Sequence, residues 1–150
     1  MGLIDLHHVA IKTKDIDETV DFYTKVLGMK VAHRPKFDFP GAWLEMGGTM
    51  FHLYAGHAAK DMKGGFKYSQ AHSPLDHVAL RAKGFDALKK KIVKSGREWR
   101  QQDLPHADIW QLFVLNPSGI KIEINFTTSQ EPKGSKGPDN RYKKYIAGKF

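Results

Sequence analysis

The chain has 150 residues, 41% of them hydrophobic and 27% charged, which suits one packed core and indicates neither a disordered chain nor a membrane protein. Lysine and arginine outnumber aspartate and glutamate by 24 to 16, a formal +8, and the absence of cysteine excludes disulfides and thiolate catalysis. Any metal must therefore be held by histidine, carboxylate or amide groups.

No apolar run is long enough to cross a bilayer, and the opening MGLIDLHH lacks the basic and apolar regions of a secretory signal. The expected location is the cytoplasm, with no membrane partner. In chain order, the first element is the apolar run LHHVAI (6–11), read as a strand. Next comes DIDETVDFYTKVLG (15–28), where Asp15 is the expected N-cap with Glu18 three residues on. Ile16, Val20, Tyr23 and Leu27 fall on one helical face, and Gly28 is the stop. Three extended segments follow, MKVAHR (29–34), AWLEM (42–46) and TMFHLYA (49–55), the last two separated by a Gly-Gly turn signal.

The second half repeats the first. LDHVAL (75–80) matches LHHVAI at an offset of 69, and GFDALKKKIVKSG (84–96) places Phe85, Leu88 and Ile92 on one helical face before Gly96. The segments REWRQQ (97–102), IWQLFVL (109–115) and IKIEINF (120–126) are extended. Gly48 precedes His52 by four residues and Gly119 precedes Glu123 by four, so the halves match again at an offset of 71. This predicts an α+β fold of two βαβββ modules in a single domain spanning 1–126. The modules are 3–55 and 74–126, joined by a linker at 56–73 and followed by a basic C-terminal tail at 127–150.

Alternation along a strand splits each segment into two faces. Val9 and Ile11, Val78 and Leu80, Phe51 and Leu53, and the isoleucines 120, 122 and 124 form the helix-packing faces. The opposite faces carry His8, His52, His77 and Glu123 at repeat-equivalent positions. A strongly bent mixed sheet with helices on its convex side would gather these faces into a metal-binding cup. The nitrogen and oxygen donors suit one divalent ion, Zn, Ni, Co, Mn or Fe(II), without choosing among them. His7 aligns with Asp76 and is read as a bystander; His33, His57, His72 and His106 lack the repeat's support as well. Arg34 and Arg81 are candidates to hold an anionic group, with Arg81 favoured because it shares the face of His77. Tyr54 and Asn125 also share the ligand faces and are candidate substrate or supporting donors, while Phe37, Phe39, Trp43 and Trp110 are candidates for an apolar wall. The basic residues cluster in 81–100 and 133–149 without any groove-reading or RNA-binding motif, so an anionic small molecule, not nucleic acid, is the expected partner.

The stretches LHHVAIKTKDIDETVDFYTKVLGM, LDHVAL and LFVLNPSGIKIEINF resemble the vicinal oxygen chelate superfamily over residues 3–126. That superfamily includes glyoxalase I, fosfomycin and bleomycin resistance proteins, methylmalonyl-CoA epimerase and extradiol dioxygenases. RPKFDFPGAWLEMG (34–47) is similar to the segment that leads into the cup wall of glyoxalase-like members. The resemblance implies paired βαβββ modules around a metal, ligands on the first and last strands of each module, and a homodimer. It implies a lyase or isomerase that stabilises an oxyanion of a small oxygenated substrate. It also leads one to expect a carboxylate at the position of His52. A metal-tied imidazole is a poor base, which leaves Glu123 as the candidate catalytic base. The alternatives are an extradiol-type iron(II) dioxygenase using His8, His77 and Glu123, and a protein that sequesters a drug or metabolite.

Overall fold

The computed structural model describes residues 4–62, 75–147 and 149–150. The first residue of each expected module, most of the expected linker, and His72 lie outside the described residues. The chain divides into two compact units, Met1–Ala71 and His72–Phe150.

In the first unit β1 (His8–Lys12) leads to α1 (Ile16–Asp21), which continues as a π-helical turn at Phe22–Val26. Then come β2 (Lys30–Ala32), β3 (Gly41–Met46) and β4 (Thr49–Tyr54). The sheet order is β1-β4-β3-β2, with β1 parallel to β4 and the other pairs antiparallel. The second unit repeats this with β5 (His77–Arg81), α2 (Phe85–Lys94), β6 (Trp99–Leu104), β7 (Ile109–Leu115) and β8 (Lys121–Thr127), in the order β5-β8-β7-β6. Here β5 is parallel to β8. Both units are βαβββ modules with mixed four-stranded sheets, the predicted α+β class.

Local chemistry explains the boundaries. The Asp15 side chain accepts a hydrogen bond from the Glu18 backbone N at 2.9 Å, the expected cap of α1. Gly47 and Gly48 both have positive φ, 54° and 83°, the geometry a two-residue hairpin turn needs between β3 and β4. The sheets bury alternate residues: Ile11, Leu44, Phe51 and Leu53 in the first unit, Leu112, Val114, Ile122 and Ile124 in the second, each at most 2% exposed. About 1.5–3 kcal/mol per fully buried side chain of this size makes these faces the main source of stability.

The buried face of the first helix differs from the predicted one. Thr19, Phe22 and Tyr23 are buried, whereas Ile16, Val20 and Leu27 are only partly so. Tyr23 is buried as predicted, but beyond it the π turn, in which Leu27 N bonds Phe22 O at 3.2 Å, rotates Leu27 off the 3.6-residue pattern. Thr19 is buried because its hydroxyl bonds Thr13 Oγ1 and the Asp15 carbonyl, both at 2.8 Å.

The segment after β8 is packed onto the second unit. Glu131 accepts from Gly84 N and Phe85 N at 2.9 and 2.7 Å, capping α2. Gln101 N donates to Lys143 O at 2.8 Å and Tyr145 N to Gln101 O at 2.9 Å, extending the sheet at β6. The Tyr145 ring stacks on Phe113 with centroids 3.7 Å apart.

Candidate metal and anion site

Register places the candidate ligands on the faces predicted for them. Ala10 pairs with His52 and His8 with Met50 across β1 and β4, while Ala79 pairs with Glu123 and His77 with Lys121 across β5 and β8. Within each unit the ligand-type residues meet as a pair: His8 with His52 in the first, His77 with Glu123 in the second. Within either unit no three described His, Asp or Glu side chains gather as a metal-binding group.

The His52 ring is sandwiched between Trp43, 4.2 Å away and 4° from parallel, and His8, 4.0 Å away and 17° from parallel. Only 8% of His52 is exposed. Burial, then the nearby charges of His8, His7 and Arg34, hold its pKa below the usual histidine value. A neutral imidazole is the form that can donate a lone pair.

In the second unit His77 Nδ1 donates to Asp76 Oδ2 at 2.7 Å, since a carboxylate can only accept. That leaves Nε2 facing Glu123 Oε2 at 3.3 Å. Glu123 Oε1 accepts from Asn125 Nδ2 at 2.7 Å, and Asn125 Oδ1 accepts in turn from Gln111 Nε2 at 2.9 Å. Asp76 also accepts from Lys121 Nζ at 2.8 Å, and Lys121 reaches Tyr145 Oη at 3.0 Å. Hydrogen bonds from His77 and Lys121 lower the Asp76 pKa despite some burial. For Lys121, burial opposes the charge, but the bonds to Asp76 and Tyr145 outweigh it and its pKa rises. In its neutral form His77, fixed from behind by Asp76, would turn a lone-pair nitrogen toward the Glu123 oxygen, a donor pair that fits a borderline divalent cation.

His7, read as a bystander to the ligand set, shares a 2.8 Å hydrogen bond between its Nδ1 and His8 Nδ1. In both units, then, the residue before the ligand-type histidine holds that histidine's Nδ1. The repeat carries the signal, since it aligns His7 with Asp76. Lys121 and Tyr145 carry no such signal: strand alternation puts Lys121 on the face away from Ile120 and Ile122, and it is buried to 2% exposure beside Tyr145. Arg81 and Asn125 line one cleft of about 500 Å³ at the end of β5 and β8, with Ile109 and Thr127. Tyr54 packs on Phe39, ring centroids 5.0 Å apart. Trp110 packs on Phe85 in the second unit at 5.5 Å.

The other cationic candidate, Arg34, lies on the open face of the first sheet. Its guanidinium carbon sits 4.7 Å from the Phe37 ring and 4.9 Å from the Phe39 ring, and Nη2 donates to Phe39 O at 2.9 Å.

Among the described residues no helix is long and apolar enough to cross a membrane. Residues 5–124 match the family model of the glyoxalase/bleomycin resistance protein/dioxygenase superfamily. The chain is 29% identical over 127 residues to "Glyoxylase I 4" of Arabidopsis thaliana, covering 83% of this chain and 71% of that protein. Its fold is similar to the fosfomycin resistance protein FosX from Listeria monocytogenes, with a TM-score of 0.65, 12% identity and coverage of 83% of this chain and 94% of that one. It is likewise similar to lactoylglutathione lyase from Agrobacterium tumefaciens, with a TM-score of 0.58, 15% identity and coverage of 84% and 96%. The family match and the module topology agree: the chain belongs to the glyoxalase/bleomycin resistance protein/dioxygenase superfamily.

Proposed function

We propose that the protein is a cytoplasmic, homodimeric, divalent-metal-dependent lyase or isomerase acting on a small oxygenated substrate, with His8, His52, His77 and Glu123 as ligands. The observation that carries this reading is His77, whose Nδ1 is held by Asp76 while Nε2 faces a Glu123 oxygen 3.3 Å away. A bound divalent ion would supply Lewis-acid stabilisation of negative charge on a substrate oxygen. Glu123 is also the catalytic base, its carboxylate taking the substrate proton, and Asn125 Nδ2 donates to its Oε1. Arg81, Asn125 and Tyr54 are the substrate-facing donors, the first two in one cleft.

The stacking of His52 between Trp43 and His8 favours a second reading, an iron(II) dioxygenase in which His8, His77 and Glu123 are the ligands and His52 is a supporting group. Metal content of protein purified without added ions tests the assignment: His8→Ala and Glu123→Ala should each lose most of it, and full retention by both would remove the metal reading. Conversion of hemithioacetals without oxygen uptake is expected, whereas oxygen uptake with catechols and iron(II) would move the assignment to the dioxygenase.

A further inference from the structure

The segment RPKFDFPGAWLEMG builds a cationic seat walled by aromatic rings, one of which, Trp43, also stacks on His52. Register puts Gly41 opposite Tyr54 and Trp43 opposite His52, so the open face of the first sheet carries Gly41, Trp43, His52 and Tyr54 together. Arg34 continues the alternation of β2, in which Lys30 and Ala32 pair with Glu45 and Trp43 on that same face. Its guanidinium lies over Gly41. A Cβ added at Gly41 would stand 3.0 Å from Arg34 Nη2 and 3.2 Å from its Cζ, and only 2.3 Å from the Leu53 carbonyl oxygen. The missing side chain is required first by the Leu53 carbonyl, and it also lets the cation lie close against the strand.

The seat is fixed before any ligand arrives. Arg34 is spread against the Phe37 and Phe39 rings and tied to the Phe39 carbonyl. The loop is closed at its far end by the Ala55 N to Pro40 O bond at 2.9 Å. Among the described residues Arg34 has no carboxylate partner. A half-buried guanidinium with one N–H used by a carbonyl, and no counter-charge, keeps a fork of donors for a planar anion. The walls decide what carries that anion. Phe37 is 44% exposed, 6.2 Å from Trp43 and 5.5 Å from Phe39, so ring faces stand beside the cation and open to a flat apolar body.

We propose that Arg34, seated over Gly41 among Phe37, Phe39 and Trp43, is the anchor for the carboxylate of a ligand with a flat unsaturated or aromatic body. As a statement about binding this stands without a metal; as a statement about the substrate it rests on the enzymatic reading above.

The test is a titration of the full-length 15N-labelled protein with sodium benzoate, as purified and again after dialysis against EDTA. Saturable amide shifts around residues 34–43 and 52–57 are expected in both preparations. Benzyl alcohol, the same ring without charge, should bind at least about tenfold more weakly, the factor expected for one charge-assisted bidentate contact. Arg34→Gln should weaken benzoate by about tenfold or more. Arg34→Lys, which keeps the charge but loses the fork, should weaken it by a smaller factor. Lys36→Gln, one charge fewer in the same loop, should weaken benzoate by less than about twofold, the share of one solvated charge in the field.

Equal binding of benzoate and benzyl alcohol by the wild-type protein overturns the proposal without any variant. So does wild-type affinity in Arg34→Gln, or benzoate binding that vanishes with EDTA. None of these outcomes touches the metal assignment, which is read from metal content in His8→Ala and Glu123→Ala.

Discussion

An imidazole with two free nitrogens can bind a cation through either and turn between them, so a ligand histidine gains from having one nitrogen occupied. Here the preceding residue does this twice, His7 for His8 and Asp76 for His77, at 2.8 and 2.7 Å. The two substitutions should differ in consequence. His7 is exposed and among the described residues its ring hydrogen-bonds only to its neighbour's, so His7→Ala should weaken divalent-cation affinity by about tenfold and leave the urea-unfolding midpoint where it was. Asp76 also neutralises Lys121, whose side chain is 1% exposed, so Asp76→Asn should lower both cation affinity and the midpoint. Competition against a chromophoric chelator and urea unfolding measure the two effects separately. At this scale the repeat ranks His8 above His7, because only His8 has a histidine counterpart. It does not reveal that His7 and Asp76 each hydrogen-bond the following histidine's Nδ1, because that depends on side-chain rotamers and on two different chemistries filling one position.

The strands and the second helix are legible from apolar spacing because each is a single period packed against one face. The first helix is not fully so: the π turn changes the period halfway, and Thr19 enters the core through hydrogen bonds to Thr13 and Asp15 rather than through hydrophobicity. The C-terminal segment is least legible. Its partners lie far upstream, 47 residues for the Glu131 cap of Gly84, and they follow no repeat, so composition alone suggests only a solvated basic tail. Its contribution is nonetheless measurable at Tyr145, which covers Phe113 and hydrogen-bonds Lys121. Tyr145→Phe removes only the hydroxyl and should cost about 1 kcal/mol. Tyr145→Ala also removes the stack and uncovers Phe113, raising the cost to about 3 kcal/mol. Denaturant midpoints in that order, with a larger slope change for neither, would show the segment to be part of the second unit's fold. Equal midpoints for wild type and Tyr145→Ala would show it to be an ornament.

The charge of the whole chain, +8, is read from composition without any fold, but only the structure separates cations already paired from those free to meet a ligand. Lys25 is matched by Asp21, Lys121 by Asp76 and Arg141 by Asp139, whereas among the described residues Arg34 meets aromatic rings and a carbonyl but no carboxylate. Two effects on an anionic ligand follow, with different ranges. The summed field acts over distances that salt cuts from about 10 Å at 0.1 M to about 3 Å at 1 M, while a guanidinium contact inside a ring-walled seat is shielded from most of that screening. Benzoate affinity should therefore fall several-fold between about 20 and 500 mM sodium chloride, and benzyl alcohol affinity should not move. Arg34→Gln should shift the whole benzoate curve toward weaker binding while keeping nearly the same slope, because the other basic residues still supply the field. A slope that disappears along with Arg34 would instead place the entire salt effect in that one contact and leave the net charge with no part in drawing anions to the protein.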